Sequence, residues 1–275
     1  MIKGFALAAL VPLFAACSSE DDSLVQGGEA QPVQIDITRA TTDGNDWTWE
    51  NGDQLKLYVT SYGSDVPTEE TLTYNGSTST WSRFNVTLPA TVEACYPATA
   101  TLTSFTIPTN QSAGIPRNEQ KGLFHTYFRG SNAVNLRVSG SGIGLALVHR
   151  LCKVAVTITS WSDYGNTMPA ISDFKITSYP NVTRSDDTVT GTGNTTDVIA
   201  YEESSNTYTA IIAPSDNGFT LKLKVNGMDM TATSDQEVTS GNAYSFNLTV
   251  TDKELTLTPA STNVLPGWDD ETDLN

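Results

Sequence analysis

The sequence predicts an all-β chain: two tandem β-sandwich domains behind an N-terminal export signal and a flexible tether. Three observations carry this. Apolar residues recur at every second position along most of the chain, the period of a strand with one face inward. Turn signals such as Asn75-Gly76, Asn226-Gly227 and Gly241-Asn242 punctuate these stretches. Thr and Ser are abundant while charged residues make up 17% of the 275, which suits pleated surfaces where β-branched side chains pack well. No convincing amphipathic helix is present; short helical turns fit only near residues 90–95 or 116–123.

The N-terminus is the most specific signal. Lys3 precedes an apolar run from Phe5 to Ala16, broken only by Pro12. The run is shorter than the roughly 20 residues a membrane-spanning helix needs and fits the apolar region of a secretory signal peptide. Ala15 and Ala16 then stand directly before Cys17. A lipoprotein signal peptidase needs small side chains beside the scissile bond and a Cys thiol to carry the lipid. Residues 1–16 are therefore read as signal peptide and Cys17 as the lipid attachment site, although Phe14 is bulkier than the usual residue at that place. The alternative is an ordinary signal peptide with an incidental Cys. Residues 17–31 are polar and Gly-containing, a flexible tether. One acyl chain anchors weakly, so stable anchoring calls for several chains on Cys17.

Two domains follow, 32–141 and 142–268, with an acidic tail at 269–275. The boundary is placed in the Gly-rich stretch Ser139 to Gly144. In the first domain, alternation runs through Leu55, Leu57 and Val59, then Phe84, Val86 and Leu88, then Val134, Leu136 and Val138. In the second it runs through Val154, Val156 and Ile158, then Tyr208, Ala210 and Ile212, then Phe219 to Val225, then Tyr244 to Val250. Trp47 and Trp49 are two apart, share a face and cap the first core. Cys95 and Cys152 lie in different domains within apolar strand patterns, and are expected to be buried free thiols. The envelope is oxidising, so a disulfide is the alternative.

Several function classes are excluded or disfavoured. A net charge of −16 repels nucleic acid, whose phosphates need Lys and Arg. There is no Gly-x-Ser-x-Gly elbow. His149 and Cys152 are three apart, which in a strand sets them on opposite faces, and His149 is read as structural because the other histidine, His125, lies in the other domain. No His or Cys pair has zinc-ligand spacing. Asp186-Asp187 and Asp269-Asp270-Glu271 with Asp273 match no calcium loop and are read as a solvated loop and tail. The Gly-rich stretch lacks the Lys-Ser or Lys-Thr ending of a phosphate loop. No catalytic residue, metal site or cofactor is assigned. Carboxylate pairs for glycoside hydrolysis stay open, because such partners meet only in the fold.

Several pieces, in order, carry a family resemblance. They are Ile35-Asp36-Ile37-Thr38-Arg39-Ala40; Trp49-Glu50-Asn51-Gly52-Asp53-Gln54-Leu55-Lys56-Leu57-Tyr58; Ala94-Cys95-Tyr96-Pro97; Leu147-Val148-His149-Arg150-Leu151-Cys152-Lys153-Val154; Ser240-Gly241-Asn242-Ala243-Tyr244; and Trp268 near the end. Together they resemble the fimbrillin family of Bacteroidetes, the subunits and accessory proteins of type V pili. The resemblance implies two tandem seven-stranded, transthyretin-like sandwiches. It implies a non-enzymatic outer-membrane lipoprotein at the cell surface, acting in adhesion as a stalk, anchor or tip subunit of a pilus. Acidic residues Glu20, Asp21 and Asp22 after Cys17 likewise resemble the surface-export signal of such lipoproteins. Asp22-Ser23-Leu24 and Asp187-Thr188-Val189 resemble the Bacteroidetes O-glycosylation pattern.

The implied partners are other pilus subunits joined by β-strand addition, the outer membrane through the lipid, and a host or bacterial surface receptor or glycan. The resemblance further implies cleavage after an Arg by a trypsin-like protease. Arg39 is the only Arg between Cys17 and Trp47 and is the candidate site. The strand ahead of it, with Val33, Ile35 and Ile37 alternating, would plug the first sandwich. Leu255, Leu257 and the stretch Asn263 to Trp268 are the candidate donors for a neighbour's groove. Alternatively Arg39 is an ordinary strand residue and the strand stays in place. A second functional reading is a surface carbohydrate-binding lipoprotein, with Trp161 and Tyr164 stacking on a sugar; capping the second core is the commoner use of such aromatics.

Overall fold

The computed structural model describes residues 30–39, 49–61, 63–87, 90–112, 127–128, 134–136, 143–147, 149–185 and 188–266. The chain is all-β. Its first half contributes β1 (Gln31–Val33), β2 (Ile35–Arg39), β3 (Gln54–Ser61), β4 (Thr68–Asn75) and β5 (Thr80–Trp81). Then come β6 (Phe84–Val86), β7 (Ala90–Tyr96), β8 (Ser104–Thr106), β9 (Tyr127–Phe128), β10 (Val134–Leu136) and β11 (Ile143–Leu147). The second half contributes β12 (Cys152–Ser160), β13 (Ile171–Ser178), β14 (Asn181–Ser185), β15 (Thr188–Thr192), β16 (Thr196–Ile199) and β17 (Tyr201–Ser204). It closes with β18 (Thr207–Ile212), β19 (Phe219–Val225), β20 (Met228–Ser234), β21 (Asn242–Val250) and β22 (Leu255–Pro266). The one helical element among the described residues is a 3₁₀ turn at Ser162–Tyr164. Residues 90–95, where a helical turn was thought to fit, are strand; residues 116–123 lie outside the described residues.

The second half is a sandwich. A sheet ordered β17-β18-β12-β21-β22 faces one ordered β16-β13-β19-β20, and both feed one core that includes Val156, Phe174, Tyr208, Leu221 and Phe246. Strict alternation in β19 buries Phe219, Leu221, Leu223 and Val225, as the period predicts. Asn226 and Gly227, both at positive φ, close the β19–β20 hairpin. Nine strands take part instead of seven. The extra two, β16 and β17, are one chain segment that changes sheets at Ala200, as strands do at sandwich corners. Strand β18 is buried on both faces. Tyr208, Ala210 and Ile212 face the sandwich core, while Ile211 faces a separate apolar cluster.

In the first half the sheet β10-β7-β3-β4-β5 packs over the pairs β1–β6 and β2–β11. The parallel β2–β11 pairing sets Ile143 opposite Ile35 and Leu147 opposite Arg39. Leu145 and Leu147 join the first core, fully buried. The strand that directly follows the expected boundary at 141/142 thus packs with the first core. The Gly-rich stretch suggested a linker, but Leu145 and Leu147 after it, two apart, set the packing of β11.

A third cluster joins the halves. Tyr58 and Cys95 from the first half meet Leu151, Val182, Val189, Ile211 and Ala243 from the second. Phe105 and Ile107 sit among them because residues 101–111 leave the first half and lie on the second. There β8 pairs with β14, Arg184 reaches Glu93 at 3.6 Å and donates to the Leu102 carbonyl at 3.3 Å, and Asn110 bridges to Ile199. Gln111 is 2% exposed. Its amide donates to the Ile211 carbonyl and accepts from the Ile211 N–H, both at 2.8 Å. A side-chain amide offers the same donor–acceptor pair as a strand residue, so Gln111 extends the edge of β18 past the end of β17.

Candidate functional site

The residues with the clearest functional geometry are Gln31 to Arg39. Two short strands there serve two different partners: β1 runs antiparallel to β6, and β2 runs parallel to β11. Gln34, between them, donates to the Trp81 carbonyl at 2.7 Å and accepts from Arg83 Nε at 3.3 Å. Alternation then sends Ile35 and Ile37 into the first core, 0% and 6% exposed. They rest in a groove with Leu145, Leu147, Leu57 and Phe84. The segment is therefore an integral strand of the core supplied by the extreme N-terminal side of the domain.

An aromatic cluster closes one end of this groove. Trp49 donates its indole N–H to the Ile37 carbonyl at 2.9 Å. Its ring meets Trp81 edge-on at 4.8 Å and Tyr96 at 5.2 Å, and Tyr74 lies 5.4 Å from Trp81. Such edge-to-face contacts add to the burial of the rings. Trp49 was expected at the first core and is there, packed against it; Trp47 lies outside the described residues. Trp81 and Gln34 carried no recognisable sequence signal, because both act through a partner more than 40 residues away in the chain.

Arg39 is the last residue of β2, paired in register with Leu147. Cys17, Glu20 to Asp22 and Ser23 all lie outside the described residues.

The candidate donor residues are engaged within their own domain. Strand β22 pairs antiparallel with β21, and Leu255 belongs to the second core with Leu257 packed against it. The ladder breaks between Tyr244 and Phe246, so that Val264 faces Tyr244 while Pro259 faces Phe246. Residues 260–263 therefore bulge from the pairing and divide β22 into an inner arm held by the core and an outer arm, Val264–Pro266. Trp268 lies outside the described residues.

The other sequence candidates are placed as follows. Trp161 and Tyr164 are half-buried against the second core, and Tyr164 donates to the Thr251 carbonyl at 3.2 Å. Both are used as caps and do not form an open stacking platform. Thr188 is exposed at the start of β15, and Val189 beside it is buried. The clusters at 186–187 and 269–273 lie outside the described residues, and among the described residues no three metal-ligating side chains converge.

Both thiols are free and buried. Cys95 is in β7, in the cluster between the halves, and Cys152 is in the second core. Burial pushes the Cys95 thiol up to about 12 and the Cys152 thiol higher still, which suppresses the reactive thiolate. The S–H of Cys152 donates to the Thr239 carbonyl at 3.0 Å. A maleimide mass tag at neutral pH is expected to leave the folded chain unlabelled and to add to both thiols in denaturant without reductant. Failure to tag the denatured chain would reveal a disulfide.

Comparison with known proteins fits this arrangement. A family model described as fimbrillin-like matches residues 38–264. Among solved structures, the chain is similar to a candidate cell adhesion protein from Bacteroides uniformis, at 17% identity and a TM-score of 0.60, covering 86% of this chain and 98% of that one. A candidate cell adhesion protein from Bacteroides ovatus gives 15% identity and a TM-score of 0.59, covering 87% and 98%. A fimbrial assembly protein from Parabacteroides distasonis gives 10% and 0.50, covering 86% and 98%. At these identities the structures establish a shared fold. No curated protein matches the sequence.

Proposed function

The chain belongs to the fimbrillin-like family, and from that membership we propose that it is a lipid-anchored cell-surface pilus component that joins its neighbours by β-strand addition. The observation that carries the proposal is the N-terminal strand: Ile35 and Ile37 fill the first core, yet the strand precedes a single Arg at its very end. Cutting after Arg39 would free both β1 and β2. It would open the edges of β6 and β11, release the Trp49 indole, and leave an apolar groove with unpaired backbone groups, a template for an incoming strand.

The incoming strand would come from a neighbour's C-terminal segment. The bulge at 260–263 allows the outer arm of β22 to leave while Leu255 stays in its own core. Refilling the groove buries apolar surface again and pairs the freed N–H and C=O groups, which drives assembly. The role is structural and non-enzymatic on this reading. If the Arg39–Ala40 bond persists in the mature protein, the same fold suits an anchor or tip subunit. Limited trypsin digestion of the folded chain, followed by N-terminal sequencing and sizing, tests this. A new N-terminus at Ala40 with multimers supports a polymerising subunit. Digestion that cuts exposed loops and spares Arg39 removes that role.

Anchoring rests on Cys17. A Cys17→Ala chain is expected to lose all label from a clickable fatty acid and to leave the membrane fraction. Persistent label on that variant would overturn lipid attachment at this residue. Among the described residues no helix is long and apolar enough to cross a membrane.

A further inference from the structure

A cleft of about 200 Å³ opens at the end of the second sandwich where β13 finishes and β19 begins. Its floor is a row of threonines on adjacent strands. Thr220 lies directly opposite Thr233, and Thr177 is one step beyond the Ile176–Leu221 pair. Tyr179 and Thr195 stand on one side, and the loop from Ser215 to Gly218 forms the other.

The chemistry of the lining is selective. Eight of its twelve residues carry a neutral hydroxyl or amide, and none is Lys, Arg, Asp or Glu, in a chain whose net charge is −16. Beside Thr177, Lys222 Nζ sits 2.7 Å from Asp197 Oδ1, which also accepts from Thr177, and the exposed Asp216 stands on the Ser215–Gly218 loop outside the lining. The lining itself offers an anion no cation and a cation no carboxylate. An apolar ligand would strand the hydroxyls without partners, which is costly. Ser178 and Ser215 already accept from the Ala213 and Asn217 N–H groups. The side chains of Thr195, Asn217, Thr220 and Thr233 hold no such bond among the described residues and are available to a ligand.

The walls are also fixed before any ligand arrives. Gly218 has φ +65, and a Cβ there would fall 1.9 Å from the Ser234 carbonyl, so only glycine lets the loop close down on β20. Tyr179 lies flat against Gly191, where a Cβ would come within 2.4 Å of its ring. The ring is thereby held at the rim, with Phe219 and Ile212 supplying apolar backing. Neutral hydrogen-bonding groups, an ordered aromatic and a rigid sheet floor together match a polyol with apolar C–H faces. The volume is below the roughly 300–1,000 Å³ of pockets that take drug-sized molecules, which leaves room for one ring.

We propose that this cleft binds a single neutral monosaccharide unit of a surface glycan, making the second sandwich a lectin-like module independent of strand addition. The test is saturation-transfer NMR on the full chain with the methyl glycosides of D-galactose, D-mannose, L-fucose and N-acetyl-D-glucosamine. Transfer to at least one of the four is expected from the unaltered chain, with a dissociation constant on the order of 1 mM, a single-ring affinity. Thr220→Trp, on the outward face of β19, is expected to abolish it by filling the cleft. Asn217→Ala, outside any strand, is expected to weaken it about fivefold, the equivalent of one lost hydrogen bond. No transfer to any of the four sugars, or transfer unchanged in both variants, overturns the proposal. Neither result bears on cleavage at Arg39, so the two readings fail separately.

Discussion

An Arg39→Gln chain is expected to stay monomeric under the trypsin treatment that converts the unaltered chain into multimers. The expected contrast is large because the strand ahead of Arg39 is core. Burying Ile35 and Ile37 is worth about 1.5–3 kcal/mol each, and β1 and β2 also complete the ladders of β6 and β11. Losing them removes a large part of the roughly 5–15 kcal/mol that keeps a domain folded. The cut chain therefore has a strong drive to recover an equivalent strand from a neighbour. A synthetic peptide of residues 31–39, added in excess, is expected to refill the groove and block multimers. A clipped chain that remains a stable monomer, or that forms multimers regardless of the peptide, would refute strand addition through this groove. The fluorescence of Trp49 and Trp81 reports the same event, since the Trp49 indole loses its bond to the Ile37 carbonyl.

Gln111→Ala is expected to lower stability by about 2–4 kcal/mol in urea unfolding. The substitution orphans the buried N–H and C=O of Ile211, and each unsatisfied buried group costs roughly 1–3 kcal/mol. It also loosens residues 101–111, the segment of the first half that lies on the second. Hydrogen exchange at the Ile211 amide is expected to speed up well before global unfolding. A loss below about 0.5 kcal/mol, the level of an ordinary surface change, would show that Gln111 does not hold the halves together. Leu→Ala changes elsewhere in the cores would cost as much, but without the local rise in exchange at Ile211.

Much of the second sandwich was legible beforehand. Val154, Val156 and Ile158, Phe219 to Val225, and Tyr244 to Val250 are buried at the alternate positions that their spacing indicates. The Asn226-Gly227 hairpin closes with both residues at positive φ. Ile35 and Ile37 were legible as a strand with an inward face, and they are buried. The resemblance to fimbrillins rested on short motifs from the lipobox to Trp268, and the family model covers residues 38–264 of that stretch.

Other features depended on partners far apart in the chain. The Gly-rich run at 139–144 read as a boundary, yet β11 directly after it pairs with β2, more than 100 residues earlier. Trp161 and Tyr164 could be read in sequence either as a sugar-stacking pair or as core caps, and the fold uses them as caps. Gln111 and Gln34 are single polar residues with no pattern around them, and each matters only through one distant backbone group. The threonine row in the cleft comes from three strands spread across some 57 residues.

By itself, then, the sequence determined that the chain is all-β, which face of strands such as β12, β19 and β21 is apolar, and where the Asn226-Gly227 turn falls. Those properties depend on residues within a few positions of one another, because side-chain alternation and turn chemistry are local. Only the tertiary structure decided that β2 lies parallel to β11, that residues 101–111 cross to the second half, and that the β21–β22 ladder breaks at residues 260–263. Strand pairing of that kind depends on which distant surfaces exclude water best together, and alternation describes a face without naming what will cover it.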